Sequence, residues 1–241
     1  MSELLKSGAI LHNTYRILRV IDQGGMGAIY MAENRQLMNE VCAVKEMLDN
    51  FSTPEERKEG LNLFEQEAKI LHSLDHPNLP RLKAYFSENN RYYLVMAYIK
   101  GRTLESIVES TSDFIPESVV IRWCADLFNI LEYLHDQDPA IIFRDLNPRN
   151  IMLEDGTGDV KLIDFGIARF FKAGKSSDTL SLGSPGYCPI EQYGRGQTDT
   201  RSDVYTVGAT LYHILTKKVP IAAIERIKPT PSLLTPPRQI N

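Results

Sequence analysis

Short runs of β-branched and aromatic residues punctuate the first hundred positions: Ile17 to Ile21, Ala28 to Ala32, Val41 to Met47, Leu82 to Phe86 and Tyr92 to Tyr98. Turn-forming residues separate them, so the pattern predicts a five-stranded sheet. One helix interrupts it. Thr53 stands as N-cap, with Pro54 at the first helical position and Glu56 three residues after the cap. The apolar rhythm runs to about Leu74, and His76-Pro77-Asn78 ends it. From about Thr103 the chain becomes mainly helical. Val119, Trp123, Leu127, Ile130 and Leu134 recur on one face of a long amphipathic helix from Pro116 to His135. Two apolar runs, Ile151 to Leu153 and Val160 to Ile163, flank Glu154-Asp155-Gly156-Thr157-Gly158, the signature of a hairpin turn. A further helix is predicted from Arg201 to Leu215. Five of the 13 prolines fall between Pro220 and Asn241, which predicts an irregular tail. The class expected is α+β, a sheet with one main helix followed by a mainly helical part.

Composition bounds the function classes. With 241 residues and 43% hydrophobic content, the chain can build one large domain or two small ones around a real core. Lys and Arg total 27 against 31 Asp and Glu, a net charge of -4 that argues against gripping nucleic acid or an anionic membrane surface. Cys42, Cys124 and Cys188 are far apart, odd in number and in no C-x-x-C pattern, so neither a disulfide framework nor a zinc site is expected. A reducing cytoplasm is the expected compartment. No apolar run is long enough for a signal peptide or for the roughly 18 residues of a membrane span.

Four segments carry candidate chemistry. Ile21-Asp22-Gln23-Gly24-Gly25-Met26-Gly27-Ala28-Ile29 lies between two predicted strands, where glycines let backbone amides approach a polyphosphate. Taken alone, three glycines in a turn more often mean only a turn. Lys45 follows Cys42-Ala43-Val44 in an apolar strand, and alternation does not exclude a plain outward-facing lysine. Leu63, Glu67, Ile70 and Leu74 form one row of the first helix, so Glu67 sits in an apolar stripe where an unpaired carboxylate would be costly. A cation is its expected partner. In Ile141-Ile142-Phe143-Arg144-Asp145-Leu146-Asn147-Pro148-Arg149-Asn150-Ile151, polar side chains are packed between two apolar runs, which a surface loop has little reason to require. Asp164-Phe165-Gly166 ends another apolar run. Asp145, Asn150 and Asp164 together offer hard oxygen atoms of the kind that suits Mg²⁺ carrying a nucleotide.

In this order the segments resemble the protein kinase family over residues 15 to about 220, in its bacterial branch of eukaryotic-like (Hanks-type) Ser/Thr kinases. The resemblance implies a two-lobed kinase fold with an ATP-binding N-lobe at residues 1–97 and a C-lobe at 98–241 that is incomplete at its C-terminus. It implies ATP with Mg²⁺ or Mn²⁺, and Ser/Thr residues of proteins as acceptors. Asp22, Gly24, Gly25, Met26 and Gly27 match the phosphate-covering loop, and Lys45 the lysine on the α and β phosphates, paired with Glu67. Asp145 matches the catalytic aspartate, and Asn150 and Asp164 the metal ligands. Met96 matches the gatekeeper, Ala97, Tyr98 and Ile99 the hinge, and Ile21, Ile29, Ala43 and Met152 the remaining nucleotide contacts. Gly183 to Glu191 resembles the end of an activation segment, and Asp203 to Gly208 the start of the helix that anchors the catalytic loop.

Several positions depart from the pattern. Asp22 replaces a glycine near the phosphates. Phe143 replaces the usual histidine and is expected to pack on Phe165. Asn147 stands where Ser/Thr kinases carry a lysine for the transferring phosphoryl group, and Arg149 is expected to take over that task. No arginine after Pro220 is an evident partner for Glu191, so Glu191 is expected to be unpaired; either the lower lobe is unusually small or, the reading preferred, the chain is a piece of a longer protein, membrane-tethered beyond residue 241 in one version. Arg144, Thr179 and Ser181 are the expected regulatory residues, with autophosphorylation in trans through a dimer. The alternatives are a pseudokinase that binds nucleotide or acts as a scaffold, and a small-molecule phosphotransferase, against which the segment Gly183 to Glu191 argues.

Overall fold

The computed structural model describes residues 3–24, 27–48, 50–171, 183–194, 196–230 and 233–241. The chain forms two compact units, Met1–Lys100 and Gly101–Asn241.

The first unit is a six-stranded antiparallel sheet with one helix. Its strands are β1 (Ile10–Leu11), β2 (Tyr15–Gln23), β3 (Gly27–Asn34), β4 (Glu40–Met47), β5 (Leu82–Glu88) and β6 (Arg91–Ala97), in the order β1-β2-β3-β4-β6-β5. The five expected strands are present. The addition is β1, whose two residues are too short for an alternation signal and which exists through pairing with Arg16 and Tyr15 of β2. Helix α1 (Pro54–Ser73) begins as its caps dictate, with Glu56 N–H donating to Thr53 Oγ1 at 3.1 Å and Ser52 N–H to Glu56 Oε2 at 2.9 Å. Pleating divides β4 between two cores. Ala43 and Met47 pack with Phe64, Ala68, Leu94 and Met96 on the α1 side. Cys42 and Val44 pack with Tyr30, Tyr93 and Val95 on the other, where Leu4, Leu5 and Ala9 cover them. Each fully buried aliphatic or aromatic side chain of this kind is worth about 1.5–3 kcal/mol.

The second unit is mainly helical. Strand β7 (Gly101–Thr103) leads into α2 (Leu104–Ser110) and α3 (Glu117–His135), then β8 (Ile141–Ile142), β9 (Ile151–Glu154), β10 (Val160–Leu162) and β11 (Arg169–Phe170). Beyond a 3₁₀ turn at Ile190–Tyr193 lie α4 (Thr200–Thr216) and the single turn α5 (Ala223–Arg226). The strands make two small antiparallel sheets, β10-β9-β7 and β11-β8. The β9–β10 hairpin turns where Gly156 and Gly158 take φ of 90° and 72°. Helix α3 buries Trp123, Leu127, Ile130 and Leu134 as its spacing requires, but Val120 rather than Val119 enters the core. Helix α4 opens on a capping box, with Arg201 N–H donating to Asp199 Oδ1 and Asp199 N–H to Ser202 Oγ. The tail, expected to be irregular, contains α5 and a 3₁₀ turn at Pro237–Gln239. Among the described residues no helix is long and apolar enough to cross a membrane.

Candidate active site

Lys45 lies on the α1 side of β4, and its Nζ meets both oxygens of Glu67 at 2.7 and 2.8 Å. Glu67 is almost fully buried and the lysine side chain 14% exposed, so the pair is held where water screens it little. This is the cation that the apolar row of α1 called for. Ile29 is the β3 partner of Lys45, and Ala43 pairs with Met96 of β6. Gly27 is required to be glycine, because a Cβ there would stand 2.9 Å from the Glu46 carbonyl oxygen. Gly24 has no such neighbour, and its N–H donates to the Gly27 carbonyl at 2.9 Å. Asp22 is exposed and its carboxylate accepts the Gln23 N–H at 2.8 Å, while Ile21 is exposed beside it. The Ala97 N–H is given to the Arg81 carbonyl at 2.9 Å, and Tyr98 and Ile99 follow it half-buried. Gly25 and Met26 lie outside the described residues.

Within the second unit, Asp145 gathers three side chains. Ser184 Oγ donates to Asp145 Oδ1 at 2.7 Å, Asn147 Nδ2 to the same oxygen at 3.0 Å, and Asn150 Nδ2 to Oδ2 at 3.0 Å. Asn147 Nδ2 also lies 3.2 Å from Ser184 Oγ, so the three groups form one network rather than separate bonds. The loop is tightened by Asn150 N–H on the Asn147 carbonyl and by Asn150 Nδ2 on the Asp145 carbonyl. Ile163 N–H donates to the Asn150 carbonyl at 3.0 Å, tying the end of β10 and the approach to Asp164 to this loop. Asp164 Oδ1 accepts the Gly166 N–H at 3.0 Å. Met152 is half-buried in β9 between Lys161 and Thr103.

The loop is fixed from below by a buried carboxylate on α4. Asp203 Oδ1 accepts the Arg144 N–H at 2.8 Å, Oδ2 accepts the Phe143 N–H at 2.9 Å, and His135 Nε2 lies 2.8 Å from Oδ2. Thr210 Oγ1 donates to the Leu146 carbonyl, and Gln192 Nε2 to the Arg144 carbonyl at 3.1 Å. These bonds hold Arg144 at φ 73°, a left-handed conformation that a non-glycine residue adopts only where its surroundings impose it. Phe143 packs edge-to-face on Phe165, centroids 5.0 Å apart and both fully buried, as the replacement of histidine led one to expect. Tyr187 donates or accepts at His213 Nδ1 over 2.6 Å. Burial pushes the Tyr187 phenol up to about 12, and burial also holds the His213 imidazole below its ordinary value.

Two departures acquire definite surroundings. Asn147, at 3% exposure, is a neutral bridge between Asp145 and Ser184. Arg149 does not reach into that network: its Nε donates to Glu105 Oε1 at 2.7 Å and three-quarters of its side chain is exposed. The expectation that Glu191 is unpaired is corrected, since Ser202 Oγ of the α4 capping box donates to Glu191 Oε1 at 2.6 Å. A helix-cap hydroxyl thus occupies the carboxylate for which an arginine was sought, while Arg226 lies over the Tyr205 ring. Thr179 and Ser181 lie outside the described residues. Ser184 falls within the Gly183 to Glu191 pattern, whereas Gln192 and His135 carry no local signal as site residues. Gly183 takes φ 144°, and a Cβ there would strike Gln192 and Cys188.

Comparison with known proteins accords with this geometry. The protein kinase domain family matches residues 15–233. Serine/threonine-protein kinase PknA of Nostoc is 33% identical over 88% of this chain and 38% of the relative. Serine/threonine-protein kinase C of Synechocystis is also 33% identical, over 88% of this chain and 40% of the relative, as is PrkC of Bacillus subtilis over 88% and 32%. The chain therefore spans two fifths or less of the length of these curated relatives. With that match extending through the Lys45–Glu67 pair, the Asp145 network and the Asp203 anchor, the chain belongs to the protein kinase domain family.

Proposed function

We propose that this chain is a catalytic domain that transfers the γ-phosphate of ATP to serine or threonine hydroxyls of proteins. The observation that carries this reading is the Asp145 carboxylate held in place by neutral donors, Ser184, Asn147 and Asn150. A carboxylate offers about four lone-pair sites. Three such bonds leave it able to accept the hydrogen bond and then the proton of an incoming hydroxyl, the part of a general base. Lys45, oriented by Glu67, holds the α and β phosphates, and Gly24 and Gly27, without side chains, let backbone amides approach them.

The oxygen donors of Asn150 and Asp164 are of the hard type that suits Mg²⁺ or Mn²⁺, which when bound would spread the charge of the phosphates. Both amide hydrogens of Asn150 point at Asp145, which leaves its Oδ1 as the atom for a cation. Asn147 brings no charge to the transferring group, and Arg149 is the cation assigned to it, exchanging Glu105 for phosphate as the reaction proceeds. Arg149→Ala should then cost about 10²- to 10³-fold in kcat with nucleotide affinity kept. An unchanged rate would remove Arg149 from the mechanism.

A second reading, a pseudokinase, is favoured by Asn147, which brings no charge, and by Asp22, a carboxylate where a glycine is usual. Transfer from ATP and Mg²⁺ to a serine-containing protein, beside an Asp145→Asn control, separates the two. Phosphoserine or phosphothreonine that is lost in the control supports the enzyme, and silence from the folded chain supports the pseudokinase. Autophosphorylation at Thr179 or Ser181, in trans, would add phosphate detectable by intact mass. An active protein with no added phosphate would exclude it.

A further inference from the structure

Glu46 follows Lys45 directly on β4, so the pleat sends the two side chains to opposite faces of the sheet. Its neighbours on that second face are apolar, Cys42 and Val44 among them, yet Glu46 is a carboxylate with 0% exposure. It is fully engaged. Tyr30 donates its hydroxyl to Oε2 at 2.6 Å, Arg91 Nη1 donates to Oε1 at 2.8 Å, and the Tyr93 hydroxyl lies 3.3 Å from the same oxygen. Burial, and the bond to Glu46, keep the Tyr30 hydroxyl protonated well above its ordinary range, so that it stays a donor.

Two of these partners continue to the segment that precedes β1. Leu5 N–H donates to the Tyr30 oxygen at 3.2 Å, and Arg91 Nη1 to the Glu3 carbonyl at 3.0 Å. The backbone of Glu46 is in close packing as well, because its carbonyl oxygen is what excludes a Cβ at Gly27. One residue therefore links three things: the strand that carries Lys45, the glycine turn, and the segment that covers the sheet. For stability alone, an apolar side chain of similar volume would serve a buried strand position at least as well.

We propose that Glu46 is a positioning residue for the nucleotide, which holds the strand of Lys45 in register from the face opposite Glu67. The proposal rests on the assignment of Lys45 to the ATP phosphates. Its test is a double-mutant cycle on the dissociation constant of a non-hydrolysable ATP analogue with Mg²⁺, using the whole chain, Glu46→Gln, Lys45→Ala and the double variant. Glu46→Gln should weaken binding about three- to tenfold when Lys45 is present and have no effect when it is absent, the coupling expected of residues joined through a shared backbone shift. A merely structural Glu46 lowers the melting temperature but leaves the constant of the folded fraction unchanged, and that outcome overturns the proposal. So does an equal weakening in both backgrounds. If Lys45→Ala alone leaves binding unchanged, the assignment of Lys45 fails and the proposal falls with it, which distinguishes the two failures. Should Glu46→Gln not fold, Arg91→Met at a partly exposed position carries the same cycle with the same expected pattern.

Discussion

Lys45 in the first unit and Asp145 in the second are both held by side-chain hydrogen bonds, but the partners differ in kind. Lys45 meets a full opposite charge, both oxygens of a buried Glu67. Asp145 meets a hydroxyl and two amides. The difference suits the roles proposed for the two groups. A lysine that must remain a cation while partly desolvated is stabilised by an adjacent carboxylate, since desolvation alone would favour its neutral form. A carboxylate proposed as a general base is oriented by neutral donors that fix its lone pairs toward an incoming hydroxyl.

That contrast can be broken in four places. The largest effect is expected from Asp145→Asn, which keeps the size of the side chain, removes the base and sets an NH₂ group against a donor of the network. Phosphoryl transfer should fall by about 10²- to 10⁴-fold. Next comes Glu67→Gln, which removes the charge opposite Lys45. Transfer should fall by about 10²- to 10³-fold, and leaving a buried ammonium without its counter-charge should cost about 3–5 kcal/mol in denaturant unfolding. Asn147→Ala is expected to be milder. It removes neutral hydrogen bonds worth about 0.5–1.5 kcal/mol each, so a loss of about tenfold in kcat, with KM for ATP unchanged, is the expected reading.

The smallest effect concerns the Tyr187–His213 contact that backs the Ser184 segment. Burial lowers the folded-state pKa of His213 below its ordinary 6.5. The unfolded chain then binds that proton more readily, so the contribution is full above 6.5, declines as the pH falls below it, and is lost below the depressed folded value. Between about pH 7.5 and about pH 5, the melting temperature of His213→Gln should therefore change less than that of the natural chain. An equal slope in both would show that this contact does not sense pH.

Much of the architecture was legible because local physics determines it. The cap Thr53, the row Leu63 to Leu74 and the glycine turns of the β9–β10 hairpin all act within a few residues, and each element formed where its pattern placed it. The strand β1 escaped because two residues carry no period. The site was legible in part. An isolated Glu67 in an apolar row demands a cation, and Lys45 supplied it. That Asn147 stands in place of a lysine is implied by the family resemblance, whereas its place as a bridge from Asp145 to Ser184 depends on a segment 37 residues away. For Glu191, the partner sought was a distant arginine and the partner found was the neighbouring helix cap. A short hydroxyl can serve a carboxylate as well as a guanidinium can, and residue type does not say which arrives.

The sequence by itself determined which chemical groups exist, their order, and the helices and strands that carry them, because propensity, capping and period are properties of neighbouring residues. Only the tertiary structure decided which donors surround Asp145, that Arg149 rests on Glu105, and that Glu46 is buried among Tyr30, Tyr93 and Arg91. Alternation along a strand says which face a side chain takes. Whether that face is covered, and by what, depends on chain segments brought together across the fold, and hydrogen bonds between them hinge on distances that no local pattern encodes.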